Sequence, residues 1–338
     1  MRSELAVDLG ALRRNARTLL RALDGAQLWA VVKADGYGHG AADVAGAALG
    51  AGASALCVAT VPEGLVLRRE FTTARIIVMG PAGNLEVGQA RDAYLELVVA
   101  TDAIPPGVRV HLKLDTGMGR WGLSELPVPT TDVVGLMSHL ATADTDAAYA
   151  EWQIERFRAA TDAYSHLTRH IANSAGALRY PSSHFDAARC GVALYGLSPF
   201  GTDPSEDGLE PVLTWTSQIA QTRLLRSGES TGYGRRFVAE TDTWIGVVPV
   251  GYADGFRRDM TGTFVRVAGE LRRVVGTVSM DAIAVELDRD LPLGTPVILM
   301  GQGVLAEDHA RVAGTINYEL VCGISRAPTR ARRVVTDA

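Results

Sequence analysis

The stretch LWAVVKADGYGHG (28–40) decides the fold. An apolar run with the composition of a buried strand ends on Lys33 and passes directly into a loop holding three glycines, Tyr37 and His39. A lysine at a strand end against an apolar wall has its amine pKa lowered and becomes available as a nucleophile. The glycines let the loop approach a bulky ligand closely. Tyr37 reads either as a hydrogen-bonding ligand residue or as a rim aromatic.

Outward from this segment the pattern repeats. Short apolar runs recur at LWAVVK (28–33), ALCVAT (55–60), RIIVMG (75–80), LELVVA (95–100), VRVHLKLD (108–115), VVGLMSH (133–139), RHIAN (169–173) and CGVALYG (190–196), separated by amphipathic or Ala-rich segments. Eight buried strands alternating with helices predict a closed (β/α)8 barrel, with reactive groups gathered at the carboxyl ends of the strands. Lys33, Lys113, Asp115, His139, Asn173 and Tyr195 all fall near such ends. The longest helix is expected over 150–168, and the uncharged stretch 44–61 reads as a helix, a turn and a strand rather than a membrane span. Two connections, 100–107 and 121–131, are too short for a crossover helix, so one side of the barrel is expected to be covered by extended loops or a partner subunit. A polar, Gly-containing boundary (198–208) precedes short alternating strands without long helices between them. The expectation is thus an α/β chain with a TIM-like barrel and its amino-terminal helix at 1–200, shortened in two connections, followed by a mainly β domain at 201–338.

Composition narrows the function. Across 338 residues, 47% are hydrophobic and 21% charged, which suits large folded cores, and the net charge of −5 offers no basic surplus for nucleic acid or an anionic membrane. Three scattered cysteines and the absence of a leader-like apolar block predict a cytoplasmic protein without a disulfide scaffold. No spacing suggests a metal site. Only Lys33 and Lys113 are lysines among the 33 basic residues. Arginine serves general surface roles equally well but does not replace an amine, because guanidinium stays protonated and is a poor nucleophile.

With these residues in view, the chain resembles the alanine racemase family of fold-type III pyridoxal-phosphate enzymes. The resemblance starts at VVKADGYGHG and continues through HLKLDTGMGRWG (111–122), GLMSHLATAD (135–144), HIANSAG (170–176), ARCGVALYGL (188–197), TGYGR (231–235), PVGYADG (249–255), VSMD (278–281) and INYE (316–319). These blocks keep one order over nearly the whole chain. The two short connections depart from the family pattern, and CGISRAPTR near the end follows it loosely, leaving an end-cap role open between Arg326 and Arg330.

The resemblance implies roles residue by residue. Lys33 matches the lysine that holds pyridoxal 5'-phosphate and serves as one of two proton-transfer bases; Tyr252 matches the second, supplied by the partner subunit of a head-to-tail homodimer with shared active sites. Proton removal on one face and return on the other inverts the α-carbon. Arg189 matches the arginine facing the pyridine nitrogen, where a permanently protonated group restrains delocalisation of charge into the ring. His139 matches a ring-contacting histidine. Tyr37, Ser174 and Tyr318, with backbone N–H groups near Ser174, Gly191 and Val192, match a distributed phosphate cradle. Arg120 and Met280 match substrate-pocket residues and Asp281 a supporting one. Lys113 matches a carbamylated lysine that positions Arg120, or else pairs with Asp115.

The activity implied is racemisation of a small amino acid, alanine first, with D-alanine feeding peptidoglycan. Racemisation of serine or another amino acid is the alternative within the same chemistry. A decarboxylase is disfavoured because Arg189 stands where an acidic residue is usual, an aldolase lacks a metal cluster around His309, and a non-catalytic cofactor carrier would lack the β domain that supplies Tyr252 and Met280.

Overall fold

In the computed structural model, residues 2–337 are described. They form two compact units, one of residues 12–200 and 204–210, the other of residues 2–11, 201–203 and 211–337. The amino-terminal strand β1 (Ser3–Asp8) belongs to the second unit, so a single cut at residue 200 does not describe the chain.

The first unit is the barrel. Its strands are β2 (Gln27–Val31), β3 (Ala55–Val58), β4 (Ile76–Val78), β5 (Glu96–Val99), β6 (Val110–Lys113), β7 (Val133–Met137), β8 (Thr168–His170) and β9 (Ala187–Cys190), all parallel, in the order β8-β7-β6-β5-β4-β3-β2-β9. Backbone bonds from Asp186 N to Arg169 O and from Arg189 N to Ala172 O, each 3.0 Å, join the two end strands and close the ring. Closure leaves no edge to aggregate. The eighth strand lies earlier than CGVALYG suggests. Apolar character runs on through Tyr195, but Val192–Tyr195 turns as a 3-10 helix after Gly191, so the strand is the preceding Ala187–Cys190. Apolarity marked burial there, not extension.

Helices cover part of the ring. Thr60 and Glu63 form a capping box with Pro62 in the first turn, starting the helix Val61–Glu70. The Asp146 side chain accepts from Tyr149 N and starts Ala147–Thr161, which ends before the expected residue 168 and buries Ile154 and Phe157 while Trp152 faces outward. The stretch 44–61 resolves into helix Ala41–Gly50, a turn and β3. Among the described residues, no helix lies between β5 and β6 or between β6 and β7. Extended loops run there instead, as the short connections predicted. Beside them opens a cavity of about 520 Å³ whose lining includes Met79, Val99, Pro105, Lys113 and Trp121.

The second unit is built on β1 with β10 (Leu213–Gln218), β11 (Gln221–Leu225), β12 (Ser230–Thr231), β13 (Phe237–Val238), β14 (Thr243–Val248), β15 (Phe264–Val267), β16 (Glu270–Val275), β17 (Ile283–Leu287), β18 (Pro296–Met300) and β19 (Ala331–Thr336). Nine of them make one sheet, β11-β14-β17-β16-β15-β18-β10-β1-β19. β1 pairs antiparallel with β10 and parallel with β19. Alternating burial in β10, β15 and β17 follows the period-2 pattern of the sequence. Two short helices, Ala306–Ala313 and Asn317–Gly323, interrupt the β pattern. Among the described residues, no helix is long and apolar enough to cross a membrane.

Candidate active site

The segment after β2 is strained in a way that fixes Lys33. Ala34, Asp35, Gly36 and Tyr37 have φ of 52°, 52°, 62° and 51°, a left-handed turn that costs about 1–2 kcal/mol at each residue bearing a Cβ. The surroundings hold it in place. Glu63 Oε1 accepts from Ala34 N at 2.8 Å, Asp35 Oδ1 accepts from Ala41 N at 2.8 Å, and Gly36 N donates to Val32 O at 2.9 Å. The Tyr37 ring stacks on Tyr195 at 4.8 Å, and the Tyr195 hydroxyl donates to Val31 O at 2.9 Å. Lys33 therefore leaves the strand end on an over-determined backbone.

Cations converge on His139, just beyond β7. Burial pushes its imidazole well below the ordinary value, and the positive charges of Arg189, Lys113, Arg120 and Lys33 push the same way. His139 is thereby kept neutral. Arg189, on β9 and buried, gives Nη2 to Ser138 O at 2.8 Å, to Ile171 O at 3.2 Å and to His139 Nδ1 at 3.0 Å. Lys113 ends β6, buried, with its amine brought down to about 8 by burial and by the neighbouring Arg120 and Arg189. Asp115 accepts from the N–H groups of Gly117, Met118 and Gly119 and ties the loop TGMG, and the charge of Lys113 adds to these bonds in lowering its carboxyl. Arg120 is exposed, its guanidinium 5.3 Å from the Trp121 ring.

A third cluster gathers hydroxyls and amides. Ser174 Oγ accepts from Gly191 N at 3.1 Å and Ala193 N at 3.3 Å. A Cβ at residue 191 would fall 2.4 Å from the Tyr37 hydroxyl, so only glycine lets that hydroxyl reach the cluster. Val192 follows, buried at the start of its 3-10 turn. Two hydroxyls and converging amide N–H groups are the donor set a phosphate dianion requires, and with the amine of Lys33 and the guanidinium of Arg189 in the same unit these residues fit pyridoxal phosphate.

The β unit carries the remaining expected residues. Tyr252 and Met280 lie on adjoining turns: Tyr252 N donates to Ser279 O and Ala253 N to Met280 O, each at 3.0 Å. A Cβ at Gly251 would meet Ser279 O at 2.2 Å, which explains the glycine before Tyr252. Both side chains are open, Tyr252 42% and Met280 51% exposed. Asp281 pairs with Arg330 at 2.5 Å and Arg2 at 3.4 Å. Tyr318 is half-buried in the helix Asn317–Gly323. Sequence reading passed over Asp254, buried, whose Oδ2 accepts from Gly251 N at 2.9 Å and meets Arg2 at 3.2 Å. Arg330 approaches both carboxylates. Glu63 was also missed, although Thr60-x-x-Glu63 is a capping signature visible in the sequence.

A lysine closing the first strand of a parallel barrel, with a β unit following, defines the fold-type III pyridoxal-phosphate enzymes. The model of the alanine racemase N-terminal domain matches residues 7–199, and that of the alanine racemase C-terminal domain matches residues 212–334. The chain belongs to the alanine racemase family. An alanine racemase of Halorhodospira halophila is 40% identical, over 98% of this chain and 97% of its own length. The biosynthetic alanine racemase of Pseudomonas aeruginosa superposes with a TM-score of 0.92 at 34% identity, covering 99% of this chain and 100% of the other. The alanine racemase of D-cycloserine-producing Streptomyces lavendulae gives 0.91 at 33% identity, covering 100% and 98%.

Proposed function

We propose that the chain interconverts L- and D-alanine with pyridoxal phosphate held at Lys33, as a homodimer in which Tyr252 of a second copy completes each site. The cofactor, when bound, withdraws electrons from the substrate and acidifies its α C–H. Lys33 Nζ then takes or returns the proton on one face and the Tyr252 hydroxyl does so on the other, so configuration inverts. Tyr37, Ser174 and the amides at Gly191 and Val192 hold the phosphate, and Tyr318 is a further hydroxyl that the family resemblance assigns to it. Arg189 faces the ring nitrogen as a fixed cation, steadied by neutral His139. Arg120, positioned by Lys113 once carbamylation has turned that amine into an anion, and Met280 with Asp281 frame the substrate. A pocket framed by Tyr252, Tyr318 and Met280 favours a small side chain.

The observation that carries this reading is the buried Arg189 guanidinium, 3.0 Å from His139 Nδ1, in the same unit as Lys33 at the end of the first barrel strand. An arginine there, rather than a carboxylate, favours proton transfer over decarboxylation. The test is to incubate purified holoenzyme in D2O with L-alanine, L-serine and a bulkier L-amino acid separately. D-alanine carrying α-deuterium is expected to form fastest. Faster inversion of serine or the bulkier substrate would reassign the substrate, and no exchange with any would overturn the racemase reading.

A further inference from the structure

Inside the barrel unit, four buried polar side chains form a single line. Arg189 Nη1 lies 2.6 Å from His170 Nδ1, His170 Nε2 lies 2.8 Å from His111 Nδ1, and His111 Nε2 lies 2.8 Å from Glu96 Oε2. Their hydrogens have one consistent placement. Arginine only donates and an ionised carboxylate only accepts. His170 Nδ1 must therefore accept from Arg189, which leaves its proton on Nε2; that proton goes to His111 Nδ1, and the proton of His111 sits on Nε2 and goes to Glu96. A positive charge on either ring would set two donors against each other. Arg75 Nη2, at 3.5 Å from His111 Nε2, does not reverse this order, since reversal would protonate His170 Nδ1 against Arg189.

The packing is made for the line. A Cβ at residue 135 would fall 2.2 Å from His111 Nδ1, so Gly135 clears the space for the ring. Trp29 lies against both imidazoles, with ring centroids 5.8 and 4.5 Å away. Glu96 opens β5 beside Arg75 and Arg109, whereas Arg189 is the penultimate residue of β9. The line thus runs from the amino ends of the strands to the carboxyl ends, where Lys33 and His139 stand. Burial opposes charge on Glu96, but the His111 bond and the adjoining arginines prevail and bring its carboxyl down to about 2. Burial, foremost, keeps His111 and His170 below the ordinary imidazole range.

We propose that Glu96, His111 and His170 are positioning residues for Arg189: the carboxylate locks both imidazoles as neutral Nε2–H tautomers and so fixes the orientation and charge of the guanidinium at the far end of the barrel. This rests on the proposed function only in what Arg189 faces.

The first test is made on full-length holoenzyme labelled with 15N-histidine, in which two-bond H–N correlations identify the protonated ring nitrogen. Both residues are expected as neutral Nε2–H from pH 6 to 9. Finding either as Nδ1–H, or as a cation, overturns the proposal whatever substrate the enzyme uses. The second test is Glu96→Gln, which keeps an acceptor for His111 and removes the charge. Its kcat is expected to fall about tenfold with KM within twofold, measured on whichever amino acid the wild type prefers. An unchanged kcat, or a loss carried wholly by KM, overturns the proposal. Should that variant not fold, the tautomers of the wild type still decide.

Discussion

The barrel unit and the β unit hold their expected site residues in opposite ways. In the barrel, Lys113, Ser174, Arg189 and Val192 are buried, and Lys33 stands on a turn fixed by Glu63 and Tyr195. In the β unit, the turns are fixed from behind by Asp254 and Arg330, yet Tyr252 and Met280 face outward. Buried groups gain their geometry during folding, whereas half-exposed ones acquire a dry environment only when something covers them. The barrel unit thus organises its site residues within its own core, whereas the β unit leaves Tyr252 and Met280 accessible.

The largest effects should break this contrast at its two bases. Lys33→Ala is expected to abolish borohydride-fixable cofactor attachment and to lower alanine racemisation at least about a thousandfold. Tyr252→Phe should lower it about as much, by 10²–10⁴-fold, while cofactor attachment persists and α-hydrogen exchange survives for one enantiomer only. Loss of exchange from both enantiomers in the tyrosine variant would disprove the division of labour.

Next in size is an acid dependence belonging to the barrel interior. His111, His139 and His170 have folded pKa values below their unfolded ones, so the unfolded chain binds more protons and stability declines as pH drops below about 6.5. Glu96 acts in the same direction lower down: its stabilisation is complete above an unfolded pKa of about 4.3 and is lost as pH falls toward its folded value of about 2. That shift corresponds to about 3 kcal/mol. Urea melts of wild type and Glu96→Gln should converge as pH falls from 5 toward 2, and parallel curves would show that Glu96 carries no such linkage.

On the β side, Asp254→Asn keeps an acceptor for Gly251 N but removes the charge facing Arg2 and Arg330. A stability loss of about 2 kcal/mol is expected in urea melts, with a rise in KM as the Tyr252 turn loosens. Met280→Ser should change the stability of the isolated chain by less than about 0.5 kcal/mol, because its side chain is half in water. A large loss for Met280→Ser would mean that the side chain is already covered. Measured against dilution, the same substitution should instead weaken self-association.

Much of this contrast was readable beforehand, and the reasons are specific. Apolar runs located seven of the eight barrel strands closely because buried parallel strands are apolar on both faces. The eighth was misplaced since burial of Val192–Tyr195 looks the same in sequence as burial of a strand. Lys33 was conspicuous because lysine is rare here. Glu96, His111 and His170 were not, because their meaning lies in a register of neighbouring strands that no local pattern encodes. Asp254 was hidden by its partners, Arg2 and Arg330, which come from opposite ends of the chain.

Those two ends meet in one sheet, where β1 lies between β10 and β19. During synthesis, β1 leaves the ribosome long before β19 and stays without that neighbour until residues 331–336 have followed. Contacts of such sequence separation form late, while the barrel strands between them can already pair with near neighbours. A chain truncated before residue 330 would therefore lack both Arg330 and β19, leaving β1 as an open edge and the carboxylates behind Tyr252 short of a cation. The sheet around β1 and the support behind the Tyr252 turn thus wait on one and the same late segment.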